Sequence, residues 1–215
     1  MANAGTAEHY RVSPPEVVVY LNGIRKEMQR MTEQASGVLS DAEREELLKR
    51  VEEKAGIYMH NYGGCGQCSL RALQEELNLP GGPAVLKAAG FTNFGIALTQ
   101  NICGALLGGI MAMGLACGRE NLSDPIYPQP EIVDDTYGLP RSLMLIRGYY
   151  QRFIQEFGSG SCRDLQIRIF GRNFEMMVIE EEEKFRLAGG HTACVDLVKK
   201  AARMAAETIL ELPRR

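Results

Sequence analysis

The sequence lacks the features that assign proteins to membranes, export or nucleic acids. Its longest uncharged apolar stretch, residues 102–117, has sixteen residues, whereas a membrane span needs about 20. The opening segment, MANAGTAEHYRV, has no charged and then apolar pattern, so we expect no secretory signal and a cytoplasmic protein. A formal net charge of −3 leaves no basic patch, which argues against a nucleic-acid partner.

Strand patterns are also missing. No segment of four or more residues alternates convincingly between polar and apolar side chains, and apolar residues recur at helical spacing instead. We therefore predict an all-α protein, a helical bundle with a glycine-rich buried central helix. Residues 1–60 are predicted to form an N-terminal helical extension with a capping box at Ser40 and Glu43. Residues 61–215 are predicted to form the domain that holds every cysteine.

The predicted helices are separated by glycine, proline and serine. A proline-rich surface connection is expected at 123–140. The predicted helices cover residues 13–34, 40–62, 65–77, 83–89, 98–117, 141–157, 162–170, 174–187 and 191–210.

The sequence has six cysteines but only one close pair, Cys65 and Cys68. A zinc site of four cysteines usually draws on two such pairs, so zinc is disfavoured. Covalent haem needs a histidine directly after the second cysteine, and Ser69 stands there instead. A thioredoxin-type pair follows a strand, whereas helix and turn precede this one. In a reducing compartment, cysteines at such spacing favour metal binding or redox chemistry over a disulfide scaffold.

Cys65 and Cys68 stand at the predicted start of a helix, where residues three apart share a face. The positive end of the helix dipole favours the thiolate, which is the form that attacks disulfides and ligates metals. One interpretation is therefore a cluster-free thiol–disulfide protein, in which Cys65 is the attacking thiol and Cys68 the resolving thiol.

Cys65, Cys162 and Cys194 share one design, because each follows small flexible residues and opens a predicted helix. Such starts gather unpaired backbone N–H groups, which can hydrogen-bond thiolates or cluster sulfides. Cys103 lies beside glycines that let a helix or a bulky cofactor approach closely, although simple packing through a Gly-x-x-x-Gly face is the alternative. Cys103 and Cys117 would be about 21 Å apart on one helix, so at most one of them shares a site with Cys65.

Three further side chains are candidate metal ligands. His60 and His191 lie near cysteines in the sequence, and each could be a ligand, a hydrogen-bond partner or a polar residue at a helix end. Cys68 is an alternate ligand. In a third interpretation the cysteines only pack, or bind zinc for stability, in a structural helical interaction module.

Four segments resemble the C_GCAxxG_C_C family of redox-active proteins: ALQEEL after the first cysteine, CGALLGGIMAMGL, FGSGSCRDL and CVDLVKKAARMAAETI. The resemblance covers about residues 58–211. The family's Gly-Cys-Ala reads Ile102-Cys103-Gly104 here, and Cys68 and Cys117 are additional to its pattern. The residues that match the four family cysteines are Cys65, Cys103, Cys162 and Cys194.

The resemblance implies a redox or electron-transfer role. A related domain in split-Soret cytochromes carries a non-haem iron–sulfur centre, so by analogy the four matched cysteines would ligate an iron–sulfur cluster of two or four irons. The sequence has no haem attachment motif, so no haem c is expected. The implied partner is a redox protein or a small electron carrier. No acid–base constellation specifies an enzymatic activity, and the long N-terminal helices together with the glycine-rich helix suggest a homodimer.

Overall fold

The computed structural model describes residues 39–124 and 140–212, so the predicted helix at 13–34 and most of the proline-rich connection lie outside the described residues. Within them the chain forms eight helices and no strand, which confirms the all-α prediction. The helices are α1 (Asp41–Tyr62), α2 (Cys65–Glu76), α3 (Gly82–Ala88), α4 (Gly104–Cys117), α5 (Arg141–Phe157), α6 (Cys162–Phe170), α7 (Ile179–Leu187) and α8 (Gly190–Glu211).

The predicted capping box at the start of α1 is confirmed. The Ser40 hydroxyl accepts a hydrogen bond from the Glu43 N–H at 3.3 Å, and the Glu43 carboxylate accepts one from the Ser40 N–H at 2.9 Å. These bonds satisfy donors that an uncapped helix would leave without partners.

Two glycines separate α1 from α2. Gly63 and Gly64 have φ values of 66° and 79°, which side chains with a Cβ rarely adopt. The chain therefore reverses tightly just before Cys65. Helix α1 packs against α8 and α2, so its residues share a core with the cysteine-bearing helices. The division of the chain between residues 60 and 61 stays a prediction.

Helix α4 is the glycine-rich buried central helix that the sequence predicts. It packs against α2, α5 and α8, and eight of its fourteen residues are buried. The facing part of the core includes four fully buried alanines of α8. Small side chains on both helices allow a close approach of their backbones. The alanines are Ala201, Ala202, Ala205 and Ala206. No helix in the described part of the chain has the length and apolar character to span a membrane.

The predicted start of α4 at residue 98 is wrong, because the backbone before Gly104 is used for another contact. Ile102 forms an isolated antiparallel bridge with Ser161. The Cys103 N–H donates to the Gly160 carbonyl at 2.7 Å. A backbone committed to this pairing cannot also form a helical turn.

The predicted start of α7 at residue 174 is also wrong, because glutamine side chains bind both backbone groups of Phe174. Its N–H donates to Gln166 Oε1 at 2.9 Å, and its carbonyl accepts a hydrogen bond from Gln100 Nε2. Helix α7 therefore begins only at Ile179. The predicted bounds of α5 and α6 are confirmed.

Gly109 and Gly114 provide a matched test of the close packing around α4. A Cβ at Gly109 would lie 2.8 Å from Tyr149 Cζ and 3.0 Å from Ala205 Cβ, whereas a Cβ at Gly114 would meet nothing within 4 Å. We expect Gly109→Ala to lower the free energy of unfolding by about 1–3 kcal/mol through overpacking.

Gly114→Ala is the control on the same helix. It should raise the free energy of unfolding by up to about 1 kcal/mol, since alanine favours the helix over glycine. Urea unfolding followed by circular dichroism measures both values. Equal effects of the two substitutions would contradict the packing described for α4.

Candidate functional site

Each of the four matched cysteines belongs to a different helix. Cys65 and Cys162 are the first residues of α2 and α6, and Cys103 is the N-cap residue of α4. Cys194 is the fifth residue of α8, which begins at Gly190, one residue before the predicted start. All six cysteines of the chain are free.

Cys65 lies directly against the start of α4. A Cβ at Gly104 would overlap both Cys65 Sγ and the Thr92 carbonyl oxygen, and a Cβ at Gly66 would lie 2.9 Å from the Gly104 carbonyl oxygen. Only glycine allows the two helix starts to approach this closely. This contact brings Cys65 next to Cys103, which directly precedes Gly104.

A backbone pairing joins Cys103 to Cys162. The Cys103 N–H donates to the Gly160 carbonyl at 2.7 Å, and the Cys162 N–H donates to the Asn101 carbonyl at 2.8 Å. The two cysteines therefore flank the bridge between residues 102 and 161. This pairing connects the start of α4 to the start of α6.

Cys194 is connected to Cys65 through Phe94. Both Cys194 and Phe94 pack against a core cluster of Phe174, Met176 and Phe185. The backbone of Phe94 in turn acts on Cys65, because hydrogen bonding from its N–H lowers the pKa of that thiol. The four cysteines thus form one connected group.

The loop that presents Phe94 has an unusual backbone. Five of its residues have φ values between 45° and 69° although none of them is glycine. Residues in this region cost about 1–3 kcal/mol each and cluster at ligand clamps and active sites. The residues are Phe94, Ile96, Ala97, Leu98 and Gln100.

Burial raises the pKa of all four thiols. The pKa of Cys103 is raised well above its usual value, that of Cys162 to about 11 and that of Cys194 to about 12. Burial likewise raises the pKa of Cys65, although backbone hydrogen bonding from Phe94, Gly66 and Gly104 acts in the opposite direction. The expected lowering by the helix dipole is therefore outweighed.

The negative charge of a Cys65 thiolate is the second cause of the raised pKa at each of the other three cysteines. All three sulfurs therefore lie within electrostatic range of Cys65. Cys65, Cys162 and Cys194 keep part of their residue surface exposed. Burial nevertheless dominates their pKa shifts, because protein atoms surround the sulfurs themselves.

The additional cysteines and the histidines have other surroundings. The buried Cys68 thiol donates to a backbone carbonyl of the turn before α2 at 2.8 Å, and burial raises its pKa to about 12. Cys117 is the last residue of α4, at the opposite end from Cys103. His60 is exposed, and His191 Nε2 lies 3.9 Å from a carboxylate oxygen of Glu182.

Over residues 39–124 and 140–212, no group of three or more cysteine, histidine, aspartate or glutamate side chains could hold a single metal ion. The contacts described above nevertheless connect the four cysteines.

A groove of about 590 Å³ borders the pairing of the α4 and α6 starts. Asn101, Ile102, Gly160 and Ser161 line it, and these residues directly precede Cys103 or Cys162 in the chain or lie opposite them in the pairing. Tyr150 and Ile154 of α5 form its other wall. Two of the four cysteines are thus one residue away from an open surface.

A comparison of the chain with protein-family models supports the grouping of these four cysteines. A family model described as "Putative redox-active protein (C_GCAxxG_C_C)" matches residues 64–208, which is more than half of the chain. The chain belongs to the C_GCAxxG_C_C family. The matched range contains all four cysteines and the whole pairing between α4 and α6, so the family description applies to the part of the chain that holds this site. No curated protein and no solved structure matches the chain.

Three residues lie at the site in this family member although no sequence motif singles them out. Thr92 and Phe94 contribute backbone atoms next to Cys65, and no sequence pattern indicates the left-handed backbone of their loop. Gln166 Nε2 lies 3.8 Å from Cys162 Sγ. Its position four residues after Cys162 on a helix is the signal that could have identified it.

The raised thiol pKa values predict that the metal-free protein loses stability in alkali. Below about pH 8.5 the thiols are protonated in both the folded and unfolded states, so they do not change the free energy of unfolding with pH. At higher pH the unfolded chain releases protons that the folded chain retains, so the free energy of unfolding falls by at most about 1.4 kcal/mol per pH unit and thiol. The window ends near pH 11 for Cys162 and near pH 12 for Cys194.

Urea unfolding of the reduced, metal-free protein between pH 7 and pH 10 measures this loss. Cys194→Ala removes one buried thiol, so its free energy of unfolding should fall less steeply over the same range. Because lysines and tyrosines titrate equally in both proteins, the difference between them isolates the thiol. Parallel profiles would contradict the buried position of Cys194.

Proposed function

We propose that the protein is a redox component that binds an iron–sulfur cluster through Cys65, Cys103, Cys162 and Cys194. The observation that carries the proposal is the convergence of these four cysteines from four different helices into one connected group. When bound, such a cluster would supply a centre that accepts and donates single electrons.

Four cysteines are the usual donor set of an iron–sulfur cluster, and the chain offers four that match the family pattern. A tetrahedral zinc ion with zinc–sulfur bonds of about 2.3 Å holds its sulfurs about 3.8 Å apart. No three metal-binding side chains of the described residues could surround one ion. In a cluster the cysteines bind different irons, so the ligands stand farther apart. The sequence disfavours the structural zinc interpretation, because it has only one close cysteine pair.

Backbone N–H groups around the thiols also fit a charged sulfur centre. Hydrogen bonding from Phe94, Gly66 and Gly104 favours the thiolate of Cys65, and that from Leu106 and Ala105 favours the thiolate of Cys103. Metal ligation requires thiolates, and such N–H groups stabilise their charge in a site from which water is largely excluded.

The thiol–disulfide alternative has less support. Its attacking thiol, Cys65, has a raised pKa and is therefore protonated at neutral pH. Its resolving thiol, Cys68, is buried and hydrogen-bonded to the turn before α2, and its pKa is raised to about 12. Neither thiol has the electropositive, exposed surroundings that reactive cysteines need.

Cluster binding is tested by anaerobic reconstitution with ferrous iron and sulfide, followed by metal and acid-labile sulfide analysis and an absorption spectrum. We expect a brown protein with iron and sulfide in stoichiometric amounts. Cys65→Ser and Cys162→Ser should lose most of both, because each removes a ligand. Protein that stays colourless and free of iron would refute the proposal.

Cys68→Ser and Cys117→Ser are the matched controls, since both cysteines are buried but stand outside the group of four. They should retain iron and sulfide at the level of the unchanged protein. If Cys68→Ser and Cys65→Ser instead abolished a redox-buffer titration equally while Cys162→Ser did not, the dithiol alternative would be correct.

A redox protein or a small electron carrier would be the partner of such a centre. The groove supports this proposal, because residues that line it are the chain neighbours of Cys103 and Cys162. The homodimer, the cytoplasmic location and the absence of a nucleic-acid partner stay predictions from the sequence.

A further inference from the structure

Two buried glutamines hold the chain between α6 and α7 from opposite sides. Gln100 and Gln166 are only 6% and 4% exposed. Gln166 Oε1 accepts a hydrogen bond from the Phe174 N–H at 2.9 Å, and Gln100 Nε2 donates to the Phe174 carbonyl. Asn173 Nδ2 contacts Gln100 Oε1 at 3.4 Å. Both amides therefore fix the same backbone position.

The bond to Phe174 orients the Gln166 amide. A backbone N–H needs an acceptor, so the oxygen of the side chain must face Phe174 and the nitrogen must face the other way. On that side Gln166 Nε2 lies 3.8 Å from Cys162 Sγ, within hydrogen-bond range for sulfur. Both residues lie on α6 four positions apart, which places their side chains on one face.

We propose that Gln166 is a positioning residue that hydrogen-bonds the Cys162 sulfur and thereby raises the reduction potential of the redox centre. This inference rests on the proposed cluster function. A reduced cluster carries more negative charge on its sulfurs, and an N–H donor stabilises that charge. Gln166 therefore favours the reduced state relative to a site without the donor.

A purely structural role for Gln166 makes a different prediction. If the amide only anchored Phe174, then Gln166 and Gln100 would be equivalent, because each forms one bond to the same backbone position. Of these two glutamine side chains, only that of Gln166 forms a hydrogen bond with a cysteine sulfur. Gln100→Met is consequently the matched control for Gln166→Met.

The first measurement is the midpoint potential of the reconstituted protein, by anaerobic redox titration. For Gln166→Met we expect the equilibrium to shift about three- to tenfold toward the oxidised state, which is ~30 to 60 mV at 59 mV per tenfold for one electron. Gln100→Met should leave the potential unchanged. Equal shifts in the two variants, or no shift in Gln166→Met, would overturn the proposal.

Gln166→Glu is the second variant, in case the methionine disturbs folding. A glutamate retains the acceptor for the Phe174 N–H but replaces the amide donor by a carboxylate. The potential should fall at least as far as in Gln166→Met, because a negative charge now faces the sulfur. An unchanged potential in a folded Gln166→Glu protein also counts against the proposal.

If no cluster can be reconstituted, the proposed function fails and a metal-free measurement decides on Gln166 alone. Iodoacetamide labelling at pH 8, read out at Cys162 by peptide mass mapping, should be about two- to threefold slower in Gln166→Met than in Gln100→Met. The reason is that the attacking thiolate has lost its donor. Equal labelling rates in the two variants would refute the contact.

Discussion

The close approach of α2 and α4 is the contact on which the rest of the site depends. Gly66 and Gly104 have no Cβ, so the two helix starts meet with backbone against backbone and Cys65 Sγ against Gly104. Since Gly104 directly follows Cys103, this contact also decides where Cys103 lies. The same central helix then packs against α8, which carries Cys194. Two of the four cysteines are thus placed by the contact between Gly66 and Gly104.

Burial gives the site its chemical character. It raises the pKa values of the thiols and so keeps them protonated and unreactive in the metal-free protein. Metal binding would displace those protons, because iron ligates the thiolate. The backbone N–H groups at Cys65 and Cys103 reduce the cost of this change. The same burial, with the hydrogen bond from Cys68 to the turn before α2, disfavours thiol–disulfide exchange through Cys65 and Cys68.

The local parts of the fold could be predicted from the sequence. The capping box of Ser40 and the glycine pair before Cys65 mark helix boundaries through bonds and φ values of neighbouring residues, and the structure confirms both. Two helix starts were wrong for a shared reason. The backbone before Gly104 and at Phe174 is bound by partners far away in the chain, and helical periodicity contains no information about such partners.

By itself, the sequence determined the helix content, the buried glycine-rich helix, the membership in a redox family and which four cysteines to compare. The helix content and the buried glycine-rich helix follow from spacing and composition, whereas the family and its four cysteines follow from the resemblance of several short segments. Only the tertiary structure decided that the Cys68 thiol donates to the turn before α2, that His191 faces Glu182, and that Gln166 faces a sulfur. The physical reason is that a thiol's neighbours, burial and charge arise where helices distant in the chain meet, and no local pattern encodes that meeting.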